Sequence, residues 1–549
     1  MNLKNQSRVA TLYLMAVAIA LSIFLRLTHL DTKISSFDEV FTALRVSGYT
    51  EAELVTDLSN PVRPVDIQYL QKYQRPNSEK TVLNTITGLA QEEPQLAPLY
   101  YIIIKLWADF AGGSMAMLRS GSAVISLLAF PCIYWLGLEL FNSRLTASIA
   151  TVLLAASPYY LMYSQDARHY SLWAVCILFS SAVLLKVSRS GSKIGWIIYA
   201  LSFTVSLYTV LISGIVGIGH LIYTVGVSKG RPSKVLSHLL ALTAGLAAFA
   251  PWIVVVIENS SQVKKMSGQV PSEKLSIFEL ARGWVRLPGK LLYELNQPSD
   301  APFPEKIFQY FLTVFCIVFV LYALYILCRT TGKEVWLFVL TLIGTTGFGL
   351  VVQDLTLGGH SGTGGMSNLI RYLVPCFLGL ILAIAHLFSF QITHSPSWKH
   401  RLWQGGLTVF VATQIILSLS IWQAPIASVN GKLELIQMNV AALKAINQTE
   451  SPLLVTDSSA WEVMYLIQNL KPSAQILTRP FCTSCNLDIN PTAFVPAPTQ
   501  TLDQYPNIFL YPNPSEAVLD WAKQQTAFQL KETLLLPNQA TKLISLDRI

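Results

Sequence analysis

The sequence predicts an α-helical polytopic membrane protein with a small extramembrane α/β domain at its C-terminal end. Three observations predict it. Hydrophobic residues make up 52% of the 549 positions and charged residues only 13%, about half the charged share of an average soluble domain, and mean hydropathy is +0.46. The apolar residues fall in blocks close to the roughly 20 residues that a helix needs to cross the hydrocarbon core. The 39 Lys and Arg outnumber the 31 Asp and Glu for a net charge of +8, yet these cations sit in short loops between the apolar blocks, where they read as topology signals and not as a nucleic-acid surface.

Eleven segments come close to spanning length: about 9–30, 118–141, 145–163, 169–187, 194–209, 211–228, 235–257, 306–328, 334–352, 369–390 and 402–422. The first is read as a retained helix, because its apolar run is long and no clear small-residue cleavage site follows before Arg26. A twelfth stretch, 97–111, is short and carries Lys105 and Asp109. With it excluded, alternate loops hold Lys4, Arg8, Arg144, Lys186, Arg189, Lys193, Lys229, Arg231, Lys234, Arg329, Lys333, Lys399 and Arg401, thirteen cations on one side, against essentially Arg168 on the other. That asymmetry predicts a cytoplasmic amino terminus and makes 97–111 an amphipathic helix lying along the outer interface.

The predicted organisation is a transmembrane domain over 1–422, with a long first external loop at 31–117, and an extracytoplasmic α/β domain over 423–549. The tail earns that reading by alternating apolar runs at 453–457, 474–478 and 507–511 with helix-like stretches near 459–470 and 515–525. The glycine-dense stretch 358–365 lacks the GK[ST] of a phosphate loop and is expected to be a mobile loop. Cys132, Cys176, Cys316, Cys328 and Cys376 fall in apolar segments as small buried hydrophobes. Cys482 and Cys485 are too few for a closed zinc site and face an oxidising side, which leaves a local disulfide or two free thiols. Asn486 to Pro491 follow them where a redox motif would begin a helix.

Transporters place ionisable groups inside their spans. Here His220 is the main such group, and a lone histidine in an apolar helix is more often a hydrogen-bonded structural residue. The remaining ionisable groups collect at the outer span ends in three clusters. Asp38 and Glu39 follow the first span, where the plain reading is a helix cap. Asp166, Arg168, His169 and Tyr170 crowd the turn between two spans, where the plain reading is an Asp and an Arg neutralising one another. Arg371 and Tyr372 open a span as a snorkelling arginine with an interfacial tyrosine, or as an anion site. Together they point to an enzyme acting on a phospholipid-like substrate whose head reaches the external interface.

At these residues the chain resembles the GT-C glycosyltransferases, in the branch with protein O-mannosyltransferases and bacterial lipid A aminoarabinose transferases. The resemblance rests on Asp38–Glu39 after the first span, PLYY at Pro98 to Tyr101, the turn Ser164, Gln165, Asp166, Ala167, Arg168 and Tyr170, and RYLxP at Arg371 to Pro375. It implies a membrane enzyme that moves a hexosyl or pentosyl group, with inversion, from a polyprenyl-phosphate-linked donor to a lipid, glycan or protein hydroxyl at the extracytoplasmic face of a bacterial plasma membrane. By the resemblance Asp38 is the general base, Glu39 orients it, and Asp166 places the acceptor or binds a divalent cation. Arg371, with Arg168 and Tyr372, meets the leaving phosphate, and Tyr100, Lys105, His169 and Tyr170 line the substrate site. One departure stands out: Leu96 and Ala97 precede Pro98 where many relatives carry a basic residue, and Arg371 or Lys105 would have to compensate. No cofactor is certain and metal need stays open. The partners implied are the donor lipid, an unidentified acceptor and membrane lipids, with no nucleic acid. A transporter or flippase, and a non-catalytic relative that binds lipid-linked sugar, are the competing readings.

Overall fold

The computed structural model describes residues 3–59, 62–266, 276–293, 303–357, 365–424, 433–485, 502–525, 527–535 and 542–549. The chain is an integral membrane protein, mostly helical. Among the described residues seven helices are long and apolar enough to cross a bilayer: Met115–Phe141, Tyr170–Ser190, Pro232–Glu258, Ile307–Thr330, Lys333–Thr356, Val374–His394 and Ser397–Gln423. An eighth crossing forms if the bent pair Arg144–Ala156 and Pro158–Ser164 counts as one. The expected segments 194–209 and 211–228 are helices of 17 and 15 residues, Lys193–Thr209 and Ser213–Val227. Among the described residues, length and apolarity alone therefore give seven spans, or eight with the bent pair.

Chain compactness divides the protein into two units. The first comprises 1–30, 95–100 and 119–424, and the second 31–94, 101–118 and 425–549. The second unit thus draws on the first loop as well as the tail, where sequence composition placed one boundary at 422/423. A strand from the loop explains why. Six strands, β1 (Pro64–Asp66), β2 (Leu453–Thr456), β3 (Gln475–Thr478), β4 (Ile508–Leu510), β5 (Phe528–Leu535) and β6 (Lys542–Arg548), form one sheet in the order β1-β3-β2-β4-β6-β5. β1 pairs antiparallel with β3, Val65 opposite Ile476. β2 runs parallel to both β3 and β4, with Leu454 opposite Ile476 and Phe509.

β2 is buried along its whole length, as a central parallel strand covered on both faces should be. Side chains alternate across the sheet. Leu454, Ile476 and Phe509 enter one core, with Val40, Phe41 and Leu44 of the first loop and Val463, Met464 and Leu466 of the Ala460–Asn469 helix. Leu453, Val455, Leu477, Ile508 and Leu510 enter the other, with Val518 and Ala522. The tail sequence looked like a self-contained domain because it supplies five of the six strands. The loop residues complete its core.

Candidate functional site

The residues singled out in the sequence fall in both units, and each unit's geometry stands by itself. In the second unit the Phe37–Ser47 helix carries Asp38 and Glu39. Ser36 is its N-cap: the Glu39 amide donates to Ser36 Oγ at 3.2 Å, and the Ser36 amide donates to Glu39 Oε2 at 2.9 Å. Such a reciprocal box satisfies two amides that the first helical turn leaves without intrahelical partners. Glu39 is fully buried in this role, whereas Asp38, one residue earlier, is half-buried. The cap that the sequence reading attached to Asp38 as its plain alternative is made by Ser36 and Glu39. The helix ends at Gly48, φ +87°, where a Cβ would also lie 2.7 Å from Lys80 Cβ. Its packed face meets the Ala460–Asn469 helix through Phe41 on Trp461 (ring centroids 3.6 Å apart) and Phe37 on Tyr465 (4.7 Å).

Behind that helix lies a polar core the sequence did not announce. Arg45, 1% exposed, meets Glu92 at 2.6 Å and Glu93 at 2.8 Å. Burial by itself would lower the guanidinium pKa, but the two carboxylates reverse that and hold it above its ordinary value. Glu51, fully buried, accepts from the Thr483 amide and hydroxyl at 2.7 Å each, from the Ser484 amide at 2.7 Å and its hydroxyl, and from Trp461 Nε1 at 3.3 Å. Thr483 and Ser484 lie between Cys482 and Cys485, which are joined as a disulfide with Cα atoms 5.5 Å apart. Lys105, on the Leu99–Ala111 helix, pairs with Asp109 at 2.9 Å, its side chain 2% exposed. That helix has 13 residues, about 20 Å long at 1.5 Å per residue, too short to cross the roughly 30 Å hydrocarbon core.

In the first unit, the chain breaks by 61° between Arg144–Ala156 and Pro158–Ser164. Ser157 caps the second helix through the Tyr160 amide at 3.3 Å, and Pro158 begins it, a position where a missing N–H costs nothing. The bend delivers Ser164 to Tyr170 into the interior: Asp166, Arg168, His169 and Tyr170 are 3%, 6%, 5% and 2% exposed. Gln165 Nε2 donates to the Leu25 carbonyl at 2.6 Å and the Thr28 carbonyl at 3.0 Å, tying the turn to the end of the first helix. An aromatic chain leaves from there. Tyr100, hydrogen-bonded to Ser122 at 2.7 Å, sits edge-on to His169, and Tyr170, Tyr163 and Tyr159 follow with centroids 4.9 and 5.0 Å apart. The Tyr159 hydroxyl donates to the Ile370 carbonyl at 2.8 Å, the residue before Arg371.

Three anchors therefore hold the segment that carries Arg371 and Tyr372. Besides Tyr159, Trp284 Nε1 donates to Ser367 Oγ at 2.8 Å. Asp354, 2% exposed near the end of the Lys333–Leu357 helix, accepts from the Met366 amide at 2.7 Å and the Ser367 amide at 2.9 Å. Gly365 lets the backbone come this close, since a Cβ there would lie 2.7 Å from Asp354 Oδ2. Its neighbours 358–364, most of the expected glycine-rich loop, lie outside the described residues. Arg371 is half-buried with Cζ 5.1 Å from the Tyr372 ring centre, and Val374 begins the next helix with Pro375 in its first turn. The cue to Asp354 in the sequence was a single acid at the edge of an apolar run.

Arg119, 1% exposed, donates to the Leu30 carbonyl at 2.7 Å and was also missed. His220 is within 3.1 Å of Ser181 and 3.0 Å of Tyr199, and His238 within 2.7 Å of Thr224 and 3.0 Å of the same Tyr199. Both imidazoles have each ring nitrogen matched to a hydroxyl, the structural arrangement expected for His220. Among the described residues no three His, Cys, Asp or Glu side chains are placed to hold a metal.

Residues 93–255 match the family described as dolichyl-phosphate-mannose-protein mannosyltransferase. Two solved structures share the fold over nearly the whole chain. ArnT from Cupriavidus metallidurans bound to undecaprenyl phosphate is 12% identical, with a TM-score of 0.53 over 96% of this chain and 97% of that one. The same protein in the apo state is 11% identical, with a TM-score of 0.54 over 98% of each chain. No curated protein sequence matches the chain. The GT-C resemblance read from the sequence thus stands at the level of fold, and the matched family segment includes the PLYY residues and the Ser164–Tyr170 turn.

Proposed function

We propose that the chain is an integral membrane glycosyltransferase that takes a sugar from a polyprenyl-phosphate-linked donor and passes it, with inversion, to a hydroxyl of a lipid, glycan or protein. We further propose eleven crossings, with the catalytic face and the sheet-bearing unit extracytoplasmic, as the distribution of the thirteen loop cations suggests. The observation that carries the reading is Arg371, a cation at the start of a spanning helix, on a segment pinned by Asp354, Trp284 and Tyr159. A phosphate leaving group needs a cation whose position is already fixed when charge develops. The matched family description and the undecaprenyl phosphate bound to ArnT support a polyprenyl phosphate as that leaving group.

In the reaction the acceptor oxygen forms a bond to the anomeric carbon while the bond from that carbon to the phosphate oxygen breaks. The acceptor proton passes to Asp38, and the electron pair leaves on polyprenyl phosphate, where Arg371 stabilises it. Asp38 is assigned the role of base as the half-buried carboxylate one residue before Glu39, which is fully buried in the helix cap. Asp166, Arg168, His169 and Tyr170 line the acceptor or donor head, with Tyr100, Lys105 and Tyr372 as further contacts.

The test is release of polyprenyl phosphate from a panel of lipid-linked sugars by the purified protein with membrane-extract acceptors. Asp38→Asn is expected to slow turnover by about 10²- to 10⁴-fold, the usual weight of a general base, with the melting midpoint kept. Arg371→Ala is expected to weaken donor binding by about 10- to 150-fold, the equivalent of one lost charge-assisted contact. Wild-type rates in Asp38→Asn, or unchanged donor affinity in Arg371→Ala, would overturn the assignment. A second reading, lipid-linked-sugar binding without turnover, is favoured by one observation, Leu96 where relatives carry a basic residue, and tight donor binding with no release in wild type would select it.

A further inference from the structure

A cavity of the first unit lies away from the Arg371 segment. It is an open groove of about 900 Å³ at the far end of the Val374–His394 helix, continuing along Ser397–Gln423 and the middle of Phe303–Thr330. The helix that joins the two places has 21 residues and so rises about 31 Å, close to the thickness of the hydrocarbon core. Arg371 and the Gln391–Lys399 rim of the groove therefore mark opposite ends of one crossing. The volume falls within the roughly 300–1,000 Å³ typical of ligand pockets.

The groove has two chemical parts. Its walls are aromatic: Phe319 lies 6.1 Å from Phe388 and 5.6 Å from Phe410, and Phe388 lies 6.0 Å from Trp403, between ring centroids. Its polar groups gather at one rim, Gln391, His394, Ser395 and Lys399. Gln391 is already engaged, donating to Tyr322 at 3.0 Å and accepting from Ser395 at 3.0 Å. Lys399 is exposed and is one of the thirteen cations that the sequence gathers on one side of the membrane. No Asp or Glu is among the described residues lining the groove.

In a bilayer a lipid tail gains little hydrophobic free energy by leaving other tails for an apolar wall. Aromatic walls alone would therefore hold any annular lipid equally, and selection has to come from the rim. His394 Nδ1 donates to the Phe390 carbonyl at 3.0 Å, so the charge of the rim comes from Lys399, and with no Asp or Glu among the described lining residues the rim selects negative charge. We propose that this groove binds one anionic glycerophospholipid, its phosphate at Lys399 and His394 and its acyl chains between Phe319, Phe388, Trp403 and Phe410. This lipid is distinct from the donor, whose phosphate is assigned to Arg371 at the other end of the helix.

The experiment is native mass spectrometry of the full chain released from detergent after titration with phosphatidylglycerol or phosphatidylcholine. Wild type is expected to retain a single phosphatidylglycerol about tenfold more tightly, with the preference shrinking as salt is raised. Lys399→Gln combined with His394→Gln is expected to bring the two lipids within about twofold of each other at an unchanged melting midpoint, and Lys399→Arg to keep the preference. Gly406→Leu, which narrows the groove beside Phe388, is expected to weaken both lipids. Equal retention of the two lipids by wild type, or a preference that survives the double substitution, would reduce the groove to an annular lipid surface and overturn the proposal. Displacement of phosphatidylglycerol by equimolar polyprenyl phosphate would assign the groove to the donor's tail and overturn it equally. None of the phosphatidylglycerol readouts depends on turnover, so they fail or succeed separately from the glycosyltransferase reading.

Discussion

Replacing Asp354 by Asn tests whether the Arg371 segment is held in place from outside itself. The Asp354 carboxylate accepts two backbone N–H groups, Met366 at 2.7 Å and Ser367 at 2.9 Å, while 2% exposed. The amide of Asn can accept one of them, but its NH2 then faces the other, a donor against a donor. One charge-assisted hydrogen bond, worth about 1.5–3 kcal/mol, is lost, and one buried N–H is left unmade at about 1–3 kcal/mol. Trp284 and Tyr159 still hold Ser367 and Ile370, so the segment opens locally without releasing the fold. A net cost of about 3 kcal/mol corresponds to about a 150-fold rise in the local opening constant. Hydrogen exchange followed by mass spectrometry on peptides covering 365–373 reads this directly, with the 374–394 helix as internal control. Donor affinity should fall with it, because a guanidinium on a loosened backbone must be ordered when the phosphate binds. Exchange at 365–373 indistinguishable from wild type would refute the claim that Asp354 positions this segment, whatever happened to activity.

Glu39→Gln keeps the length of the capping side chain and should cost about 1 kcal/mol or less in the thermal stability of the second unit, whereas Glu39→Ala should cost about 1–2 kcal/mol. A stability loss in Asp38→Asn as large as that in Glu39→Ala would contradict the division of roles between the two carboxylates. Glu51→Leu removes the acceptor of five donors around Thr483, Ser484 and Trp461 and should destabilise the second unit by about 3–5 kcal/mol, with earlier proteolysis near the Cys482–Cys485 disulfide as the readout. Asp57 should give the second unit an acid-sensitive component. Burial raises its pKa, but hydrogen bonds from Tyr73, Tyr69 and Lys72 more than offset this and hold it below the ordinary value. With a folded pKa below the unfolded one, the stabilisation is complete above the unfolded value near 4 and is lost as pH falls through the depressed folded pKa. Asp57→Asn should flatten that limb of a melting-midpoint profile.

The membrane class was legible because it depends on long averages: block length, charge scarcity and cation asymmetry survive any error in a single residue. The count of crossings depends on local detail instead, because Lys193–Thr209 and Ser213–Val227 are short for a bilayer and the pair around Ser157 bends by 61°. Composition cannot decide between a short crossing and a helix that ends inside the protein. The tail's parallel strands were visible as short apolar runs, yet β1 was not, since Pro64, Val65 and Asp66 carry no alternating pattern of their own and become a strand only when β3 offers its edge.

The proposed site divides along the same line. Residues whose chemistry is rare in their setting could be found from the sequence: an acid pair just past a span, a charged turn between spans, an arginine at the head of a helix. Which of the two adjacent carboxylates caps the helix is less conspicuous. The S-x-x-E spacing of Ser36 and Glu39 was in fact present, and it is the one local signal that separates them, since a capping box uses the residue three after the cap. Read that way, Glu39 and not Asp38 is the carboxylate that caps the helix. Asp354 and Trp284 carried no such local signal, because their partners are backbone amides and a hydroxyl 12 to 83 residues away. A positioning residue is defined by what it holds, and that appears only once the chain is folded.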